Sequence, residues 1–305
     1  MIRKNQYFRL EEMNLLIEED IKRVISYAES LYRGQLFELA SKIYKKKDCR
    51  LVTLAGGSCA GKTTSAKLLR EILEKMGKKV IMVSLDDFFM DRDKTPLLPD
   101  GSKDYDSPRA LMLDELHECF YKLFTTGEAK FPSYDFVSGK NCANAYSLKL
   151  DNDSIIIFEG LHTISPEITN RLGTKNIFKV YVGPFSGFEF KDTRMDNKDL
   201  RFVRRVVRDV GRRGYSMLHT YKVWKNVLDG EKKYIDPYAK KANFVLDTTF
   251  AFELGLYKKI FVENYKYYRK EFPKFKFMPV LENAREFNKT LIPLTSLMWE
   301  FIDKD

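Results

Sequence analysis

Short apolar runs alternate with longer amphipathic stretches through the middle of the chain. The apolar runs cover 51–55, 80–84, 155–158 and 178–182, and helical patterns lie between them, from Lys62 to about Lys75, over 111–124 and near 166–172. Apolar runs of this kind are typical of parallel strands that are covered on both faces. The alternation therefore predicts an α/β fold, with a parallel sheet that carries helices on both faces.

The first fifty residues show helical periodicity before any strand begins. Their pattern predicts two helices, around Glu18–Tyr32 and Gln35–Lys46, with Gly34 at the break between them. Two long polar stretches, 91–109 and 137–150, are predicted as loops. Because loops of this length usually serve a ligand rather than the fold, we expect both of them near a substrate.

These patterns divide the sequence into three regions. We expect a helical appendage over 1–49, an α/β core over 50–250 and a helical extension packed on the core over 251–305. A chain of 305 residues lies near the upper limit of one domain, so one domain with appendages is the simplest arrangement.

The composition is that of a globular protein, with 44% hydrophobic and 31% charged residues. The four cysteines are scattered without a C-x-x-C pair, so we predict neither a disulfide framework nor a zinc site; they are Cys49, Cys59, Cys119 and Cys142. The first residues lack the apolar core of a signal peptide, and no apolar run approaches the roughly 20 residues that span a bilayer. We expect a cytoplasmic location and no membrane partner.

Lysine and arginine outnumber the acids 53 to 43, which gives a net charge of +10. Two segments account for the whole excess: 191–213 holds nine Lys and Arg against four Asp and Glu, and 257–276 holds seven against two. In the second segment aromatic residues recur at helical spacing, which indicates a buried face with lysines around it. We therefore expect no nucleic-acid partner there.

One segment matches the pattern G-x-x-x-x-G-K-[ST] and lies between a predicted strand and a predicted helix. It reads Gly56, Gly57, Ser58, Cys59, Ala60, Gly61, Lys62 and Thr63, and Thr64 follows. Glycines let the backbone curl so that several N–H groups face one anion, and the helix start adds its positive end. We predict ATP binding here, with Lys62 on the β- and γ-phosphates and the Thr63 hydroxyl on Mg²⁺.

Two carboxylates end predicted strands. Asp86 follows the strand at 80–84, and Glu159 follows the strand at 155–158. In an open parallel sheet the ligand crevice lies at the carboxyl ends of the strands, where the glycine-rich loop also opens. We therefore expect Asp86 and Glu159 to face the Mg²⁺ and the γ-phosphate.

A stripe of arginines lies in the first basic segment. Four of them fall at i, i+3, i+4 and i+7 of a predicted helix: Arg201, Arg204, Arg205 and Arg208. One interpretation is a lid over about 191–230, hinged near Arg213 and Gly214, that brings positive charge to the phosphates. The alternative is a solvated basic face paired with Asp199 and Asp209.

The order of these motifs resembles the uridine kinase and phosphoribulokinase family of P-loop kinases over about residues 50–250. The resemblance is carried by the sequences at 56–64, 84–89, 104–108, 132–136, 158–160 and 201–209. It is strongest to a uridine kinase-like subgroup whose kinase region follows a TGS and threonyl-tRNA-synthetase-like half, and that half is not in this sequence.

The resemblance implies a role for each matching residue. Asp86 is the base toward the acceptor hydroxyl, with Thr63, Asp86 and Glu159 grouped around Mg²⁺. Lys62, Arg204 and Arg208 are the other catalytic residues, while Arg201, Arg205 and Arg213 hold ATP. Asp106 binds the ribose hydroxyls, and Phe89, Tyr134 and Phe136 shape the base pocket.

The sequence departs from the family pattern at two positions. Gly139 replaces a base-recognising His, and Phe89 replaces a Tyr. We expect an ATP-dependent kinase for a ribose-containing small molecule, a nucleoside first. The open alternatives are a phosphoribulokinase-like or other small-alcohol kinase, in which Arg109, Lys130 or Lys140 holds an anionic group, and a nucleotide-binding regulator without kinase activity. Whether the chain forms a homo-oligomer is left open.

Overall fold

A five-stranded parallel sheet organises the computed structural model, which describes residues 6–303. The strands are β1 Tyr7–Arg9, β2 Leu51–Ala55, β3 Lys79–Ser84, β4 Glu128–Asp135, β5 Lys140–Lys149, β6 Ser154–Glu159, β7 Ile177–Gly183, β8 Gly187–Phe190, β9 Thr193–Met195 and β10 Phe244–Asp247. The main sheet has the order β10-β7-β2-β6-β3, and every neighbouring pair is parallel.

Helices cover both faces of this sheet. They are α1 Leu10–Lys45, α2 Lys62–Lys75, α3 Leu113–Thr126, α4 Pro166–Thr169, α5 Asn197–Arg212, α6 Met217–Tyr234, α7 Asp236–Ala239, α8 Leu254–Tyr267 and α9 Met278–Glu282. Along β2, Val52 and Leu54 point into one apolar cluster, whereas Leu51 points into the other. The predicted α/β class with two covered faces is confirmed.

The N-terminal region differs from its prediction. The two helices expected around Gly34 are one helix, α1, which runs through Gly34 and departs from helical geometry at Asp20 instead. Buried side chains on both sides of Gly34, such as Tyr32 and Leu36, pack on the core. Their burial outweighs the cost of about 1 kcal/mol for a glycine inside a helix, so the break at Gly34 was wrong.

The polar stretch 137–150 was also misassigned, because most of it forms β5 in an antiparallel hairpin with β4. Most of its side chains are exposed or half-buried, so the stretch lacks the apolar residues that reveal a strand. The register shifts between Phe131 and Ser133, around Pro132, which has no N–H to donate to the ladder. The hairpin lies against the segment that follows β3, where Asn141 donates to the carbonyl oxygens of Asp87 and Phe89.

One apolar cluster joins the two ends of the chain to the sheet. It includes Leu10 of α1, Val203 of α5, Tyr257 and Phe261 of α8, and Ile302 near the end of the described residues. Tyr257 and Phe261 are buried, as their helical spacing predicts. No helix within residues 6–303 is long and apolar enough to cross a bilayer.

Candidate active site at the carboxyl ends of the strands

The glycine-rich loop lies between β2 and α2. The chain leaves β2 at Ala55, curls through 56–61 and enters α2 at Lys62. Gly61 has a φ of 86°, and a Cβ there would lie 2.7 Å from Leu297 Cδ1. Only glycine fits both the left-handed backbone and the close contact. The loop therefore has the backbone curl that phosphate binding needs. We call residues 56–64 the cradle.

Predicted polar side chains meet beside this loop. The Thr63 hydroxyl donates to Glu159 Oε2 over 3.4 Å, and the Ser84 hydroxyl donates to Glu159 Oε1 over 3.1 Å. Lys62 folds back on its own loop, with Nζ 3.1 Å from the carbonyl oxygen of Gly57. Asp86 lies in the short 3-10 turn that follows β3. The carboxyl ends of β3 and β6 thus meet the cradle.

The carboxyl groups of Asp86 and Glu159 differ from those of surface acids in their pKa values. Burial raises the pKa of Asp86, and Lys62 opposes the rise. Burial likewise raises the pKa of Glu159; Lys62 again opposes it, and the charge of Asp86 adds to it. Neighbouring buried carboxylates favour a bound cation, which relieves their repulsion.

The donor set fits Mg²⁺. Thr63, Asp86 and Glu159 offer only oxygen atoms, and magnesium commonly uses one or two carboxylates together with waters and substrate phosphates. Within residues 6–303 no three His, Cys, Asp or Glu side chains are grouped to hold a metal. A magnesium ion held here would therefore take its remaining ligands from water and nucleotide.

Two further carboxylates contact the cradle itself, and the sequence analysis assigned a role to neither. The Ser58 N–H donates to Glu231 Oε1 over 3.0 Å. The N–H and the hydroxyl of Thr64 both donate to Glu300 Oε2, over 3.2 and 2.7 Å. Glu231 belongs to α6 and Glu300 to the 3-10 turn Leu297–Glu300. No local pattern could have revealed them, because both are more than 150 positions away from the loop.

The arginine stripe is divided between the core and the cradle. Arg201 forms two bonds of 2.6 Å with Glu231. Arg204 is completely buried, and its guanidinium bonds both oxygens of Glu253 over 2.7 and 2.9 Å. Both guanidinium groups are thus buried in ion pairs rather than open to solvent, although Arg201 Nη1 also donates to the carbonyl oxygen of Ser58 over 3.3 Å. Their expected role toward the nucleotide stays a prediction.

Arg204 nevertheless contacts the cradle from behind. Its Nη1 donates to the carbonyl oxygen of Cys59 over 3.3 Å. The hydroxyl of Thr248, 3.3 Å from the same Nη1, donates to the carbonyl oxygen of Ala60 over 2.8 Å. Arg204 therefore contacts the backbone of the loop, and its catalytic role stays a prediction.

The remaining arginines are more accessible. Arg205 donates to the Ser58 hydroxyl over 3.2 Å and lies 3.4 Å from Asp209, which also binds Arg208. Asp209 pairing was the alternative interpretation of the stripe, and it holds for these two. Arg213 follows α5, is exposed, and lowers the pKa of Asp86. The other acid of that alternative, Asp199, instead accepts from the N–H of Asp196, the N-cap residue of α5, over 3.2 Å.

Aromatic side chains gather around Phe89, three residues after Asp86 in the chain. Tyr134 lies 5.7 Å from Phe89 and 5.0 Å from Phe136, measured between ring centroids. Tyr105, which the sequence analysis left out, lies 6.2 Å from Phe89. We call Phe89, Tyr105, Tyr134 and Phe136 the aromatic cluster. The structure thus brings together the three residues that were predicted for a base pocket.

Asp106 is the acid that was predicted to bind the ribose hydroxyls. It follows Tyr105 in the chain, and its charge interacts with those of Lys62, Arg205 and Glu231. Burial raises the pKa of Asp106 to about 6, while Arg205 opposes the rise. An acid near the phosphate site and the aromatic cluster is suited to accept hydrogen bonds from hydroxyl groups.

The parallel sheet, the glycine-rich loop at the end of β2 and the two carboxylates beside it define a P-loop kinase of the α/β class. The chain belongs to the Phosphoribulokinase / Uridine kinase family, whose model matches residues 51–251. This confirms the resemblance seen in the sequence.

Relatives are uridine kinases at low identity. The chain is 27% identical to the uridine kinase of Anoxybacillus flavithermus over 197 residues, which is 64% of this chain and 84% of that protein. It is 24% identical to the uridine kinase of Halobacterium salinarum over 196 residues, 64% of this chain and 78% of that one. A possible uridine kinase from Bacillus stearothermophilus is a structural neighbour, with a TM-score of 0.49 at 17% identity, over 70% of this chain and 98% of that chain.

Proposed function

We propose that this protein is an ATP-dependent kinase that phosphorylates a hydroxyl group of a ribose-containing small molecule, with a nucleoside as the first choice. One observation carries the proposal: the charge of Asp86 interacts with those of Lys62 and Glu159, and the aromatic cluster begins three residues later in the chain at Phe89. We expect this carboxylate to lie between the bound phosphates and a flat ring held at the aromatic cluster.

On the nucleotide side, the backbone N–H groups of 56–64 and Lys62 bind the phosphates of ATP. Arg205, Arg208 and Arg213 are the arginines available to add positive charge there, since Arg201 and Arg204 are held in buried ion pairs. Thr63, Asp86 and Glu159 would hold Mg²⁺, directly or through water, and the ion would neutralise charge on the phosphate oxygens.

On the acceptor side, Asp86 accepts the proton of the attacking hydroxyl. Burial raises the pKa of its carboxyl group, and Asp86 keeps an oxygen free for this proton when it holds Mg²⁺ through water. Asp106 accepts hydrogen bonds from the ribose hydroxyls. The aromatic cluster stacks on the base, with Phe136 as its most exposed member.

A substrate screen tests this function. ATP and Mg²⁺ are incubated with the protein and single acceptors, namely nucleosides, sugar phosphates, D-glycerate and pantothenate, and ADP release is measured. We expect ADP release with a nucleoside and loss of that release in Lys62→Ala. Turnover with sugar phosphates or carboxylates alone would favour the small-alcohol alternatives, and tight ATP binding without any turnover would favour the regulator.

A further inference from the structure

Arg92 is fixed at the tip of the β4–β5 hairpin. Its N–H donates to the carbonyl oxygen of Gly139 over 2.8 Å, and its Nη2 donates to the carbonyl oxygen of Phe136 over 2.5 Å. Gly139 has a φ of 70°, and a Cβ there would lie 2.6 Å from Arg92 Nε and 2.7 Å from its Cζ. The guanidinium therefore fills the space that any side chain at 139 would need.

This guanidinium has hydrogen-bonding capacity left over. It carries five N–H donors, and the carbonyl oxygen of Phe136 and the neighbouring Tyr134 hydroxyl can use only some of them. The nearby acids have other partners: Asp91 pairs with Lys94 and Lys140, and Asp135 interacts with the charge of Arg92 but accepts its hydrogen bonds from Val137 and Ser138. Arg92 is exposed, so its free donors are accessible to a ligand.

Arg92 also lies at the rim of the aromatic cluster. Phe136, whose carbonyl it binds, packs edge-to-face on Tyr134 and is 61% exposed. A flat ring that stacks on the exposed ring of Phe136 would bring one of its edges toward the guanidinium. If the ribose lies at Asp106, the edge near Arg92 is the one remote from the ribose.

We propose that Arg92 determines which acceptor is used, by donating hydrogen bonds to a carbonyl oxygen on the edge of the stacked ring. This inference rests on the proposed function, since it names the base of the nucleoside substrate. A guanidinium donates and cannot accept, so a carbonyl oxygen at that edge binds well, whereas an amino group meets a second set of donors. Uridine presents a carbonyl at this edge and cytidine an amino group.

The experiment compares the two nucleosides across matched variants. kcat/KM for uridine and for cytidine is measured in the unmodified protein, in Arg92→Gln, and in Lys94→Gln as a control that removes an exposed cation from the same turn. We expect about a tenfold or greater preference for uridine in the unmodified protein and in Lys94→Gln. In Arg92→Gln the ratio should approach one, mainly through KM, because an amide both donates and accepts.

A second variant and a stability control keep the result interpretable. Gly139→Ala should displace the guanidinium and lower kcat/KM for uridine, while KM for ATP stays the same. The melting temperature of Arg92→Gln should be close to that of the unmodified protein, because Arg92 is outside the core. A uridine-to-cytidine ratio that is near one from the start, or that Arg92→Gln leaves unchanged, overturns the inference while the nucleoside kinase stands. If no nucleoside is phosphorylated but another alcohol is, the proposed function fails and this inference fails with it.

Discussion

The two ends of the candidate active site are built in different ways. At the cradle, the N–H groups of Ser58 and Thr64 already bond to carboxylates of the protein, and buried ion pairs lie behind the loop. At the acceptor end, Tyr105, Phe136 and the Arg92 guanidinium are exposed, and the guanidinium keeps donors free.

This difference distinguishes the binding of the nucleotide from the selection of the acceptor. The cradle is tied to α5, α6 and the C-terminal turn, so nucleotide binding there must exchange protein contacts for ligand contacts. The acceptor end depends on the β4–β5 hairpin and the loop beside it, so its side chains can change without disturbing the core. We expect substitutions at the two ends to affect different measurements, and the following four predictions test this, from the largest effect to the smallest.

Asp86→Asn should remove the base between the two ends. An amide keeps the size of the side chain but cannot take a proton, so we expect turnover to fall by about 10² to 10⁴, with a smaller change in KM for ATP. Asp87→Asn is the matched control, because its carboxylate accepts from the Tyr146 hydroxyl instead. ADP release with the accepted substrate measures the turnover of both variants. Equal losses in the two variants would remove Asp86 from its proposed role.

Arg204→Ala and Arg213→Ala should separate stability from turnover. Removing Arg204 leaves the completely buried Glu253 unpaired, which we expect to cost about 3–5 kcal/mol and to lower the melting temperature strongly. Arg213 is exposed, so its removal should leave the melting temperature near its original value and lower turnover. Thermal unfolding and kcat are measured on each variant. A stable, poorly active Arg204→Ala would restore the catalytic role first expected for it.

Asp106→Asn should stabilise the protein in a manner that depends on pH. Burial raises the pKa of Asp106 from 3.8 to about 6, so the folded protein holds this proton more tightly than the unfolded chain. As the pH rises from the unfolded pKa to the folded pKa, ionisation of Asp106 lowers the free energy of unfolding progressively. Above the folded pKa the loss is complete. We expect a gain of at most about 3 kcal/mol at pH 7, since one pKa unit is worth about 1.4 kcal/mol. The stability gain of Asp106→Asn should vanish when the pH is below the unfolded pKa of the aspartate.

Denaturant unfolding of the unmodified protein and of Asp106→Asn across this pH range checks whether the substitution stabilises the fold. A gain that persists at low pH, or a loss of stability at pH 7, would mean that the Asp106 carboxylate is stabilised in the fold. Addition of the accepted nucleoside should reduce the difference at pH 7, because the bound hydroxyl groups would bond to the carboxylate.

Glu300→Gln should raise nucleotide affinity by about threefold to tenfold. The carboxylate of Glu300 competes for the two donors of Thr64, and a neutral amide competes less well than a charged group. Titration with ATP and Mg²⁺ measures the change. Glu282→Gln is the control, since Glu282 lies in α9 and is exposed. Weaker ATP binding by Glu300→Gln would instead show that the carboxylate supports the nucleotide-bound arrangement.

The sequence was most informative where the determining residues are neighbours in the chain. Strand β2, the loop 56–61 and α2 are contiguous, and local backbone preferences are enough to identify them. Asp86 and Glu159 were found because they end strands, and parallel strands end at one edge. The helix α1 and strand β5 were misassigned because packing, rather than local pattern, decided both.

The sequence by itself therefore determined the class of fold, the cradle and the carboxylates beside it, since strand and helix periodicity and the glycine positions act over short stretches. The tertiary structure alone decided the partners of two arginines and of Thr64 in the loop. Arg201 meets Glu231, Arg204 meets Glu253 and Thr64 meets Glu300, and these pairs are formed only when distant segments pack together. A guanidinium on a helix face has the same sequence signature whether it faces phosphate or a buried acid, and burial decides which of the two it binds.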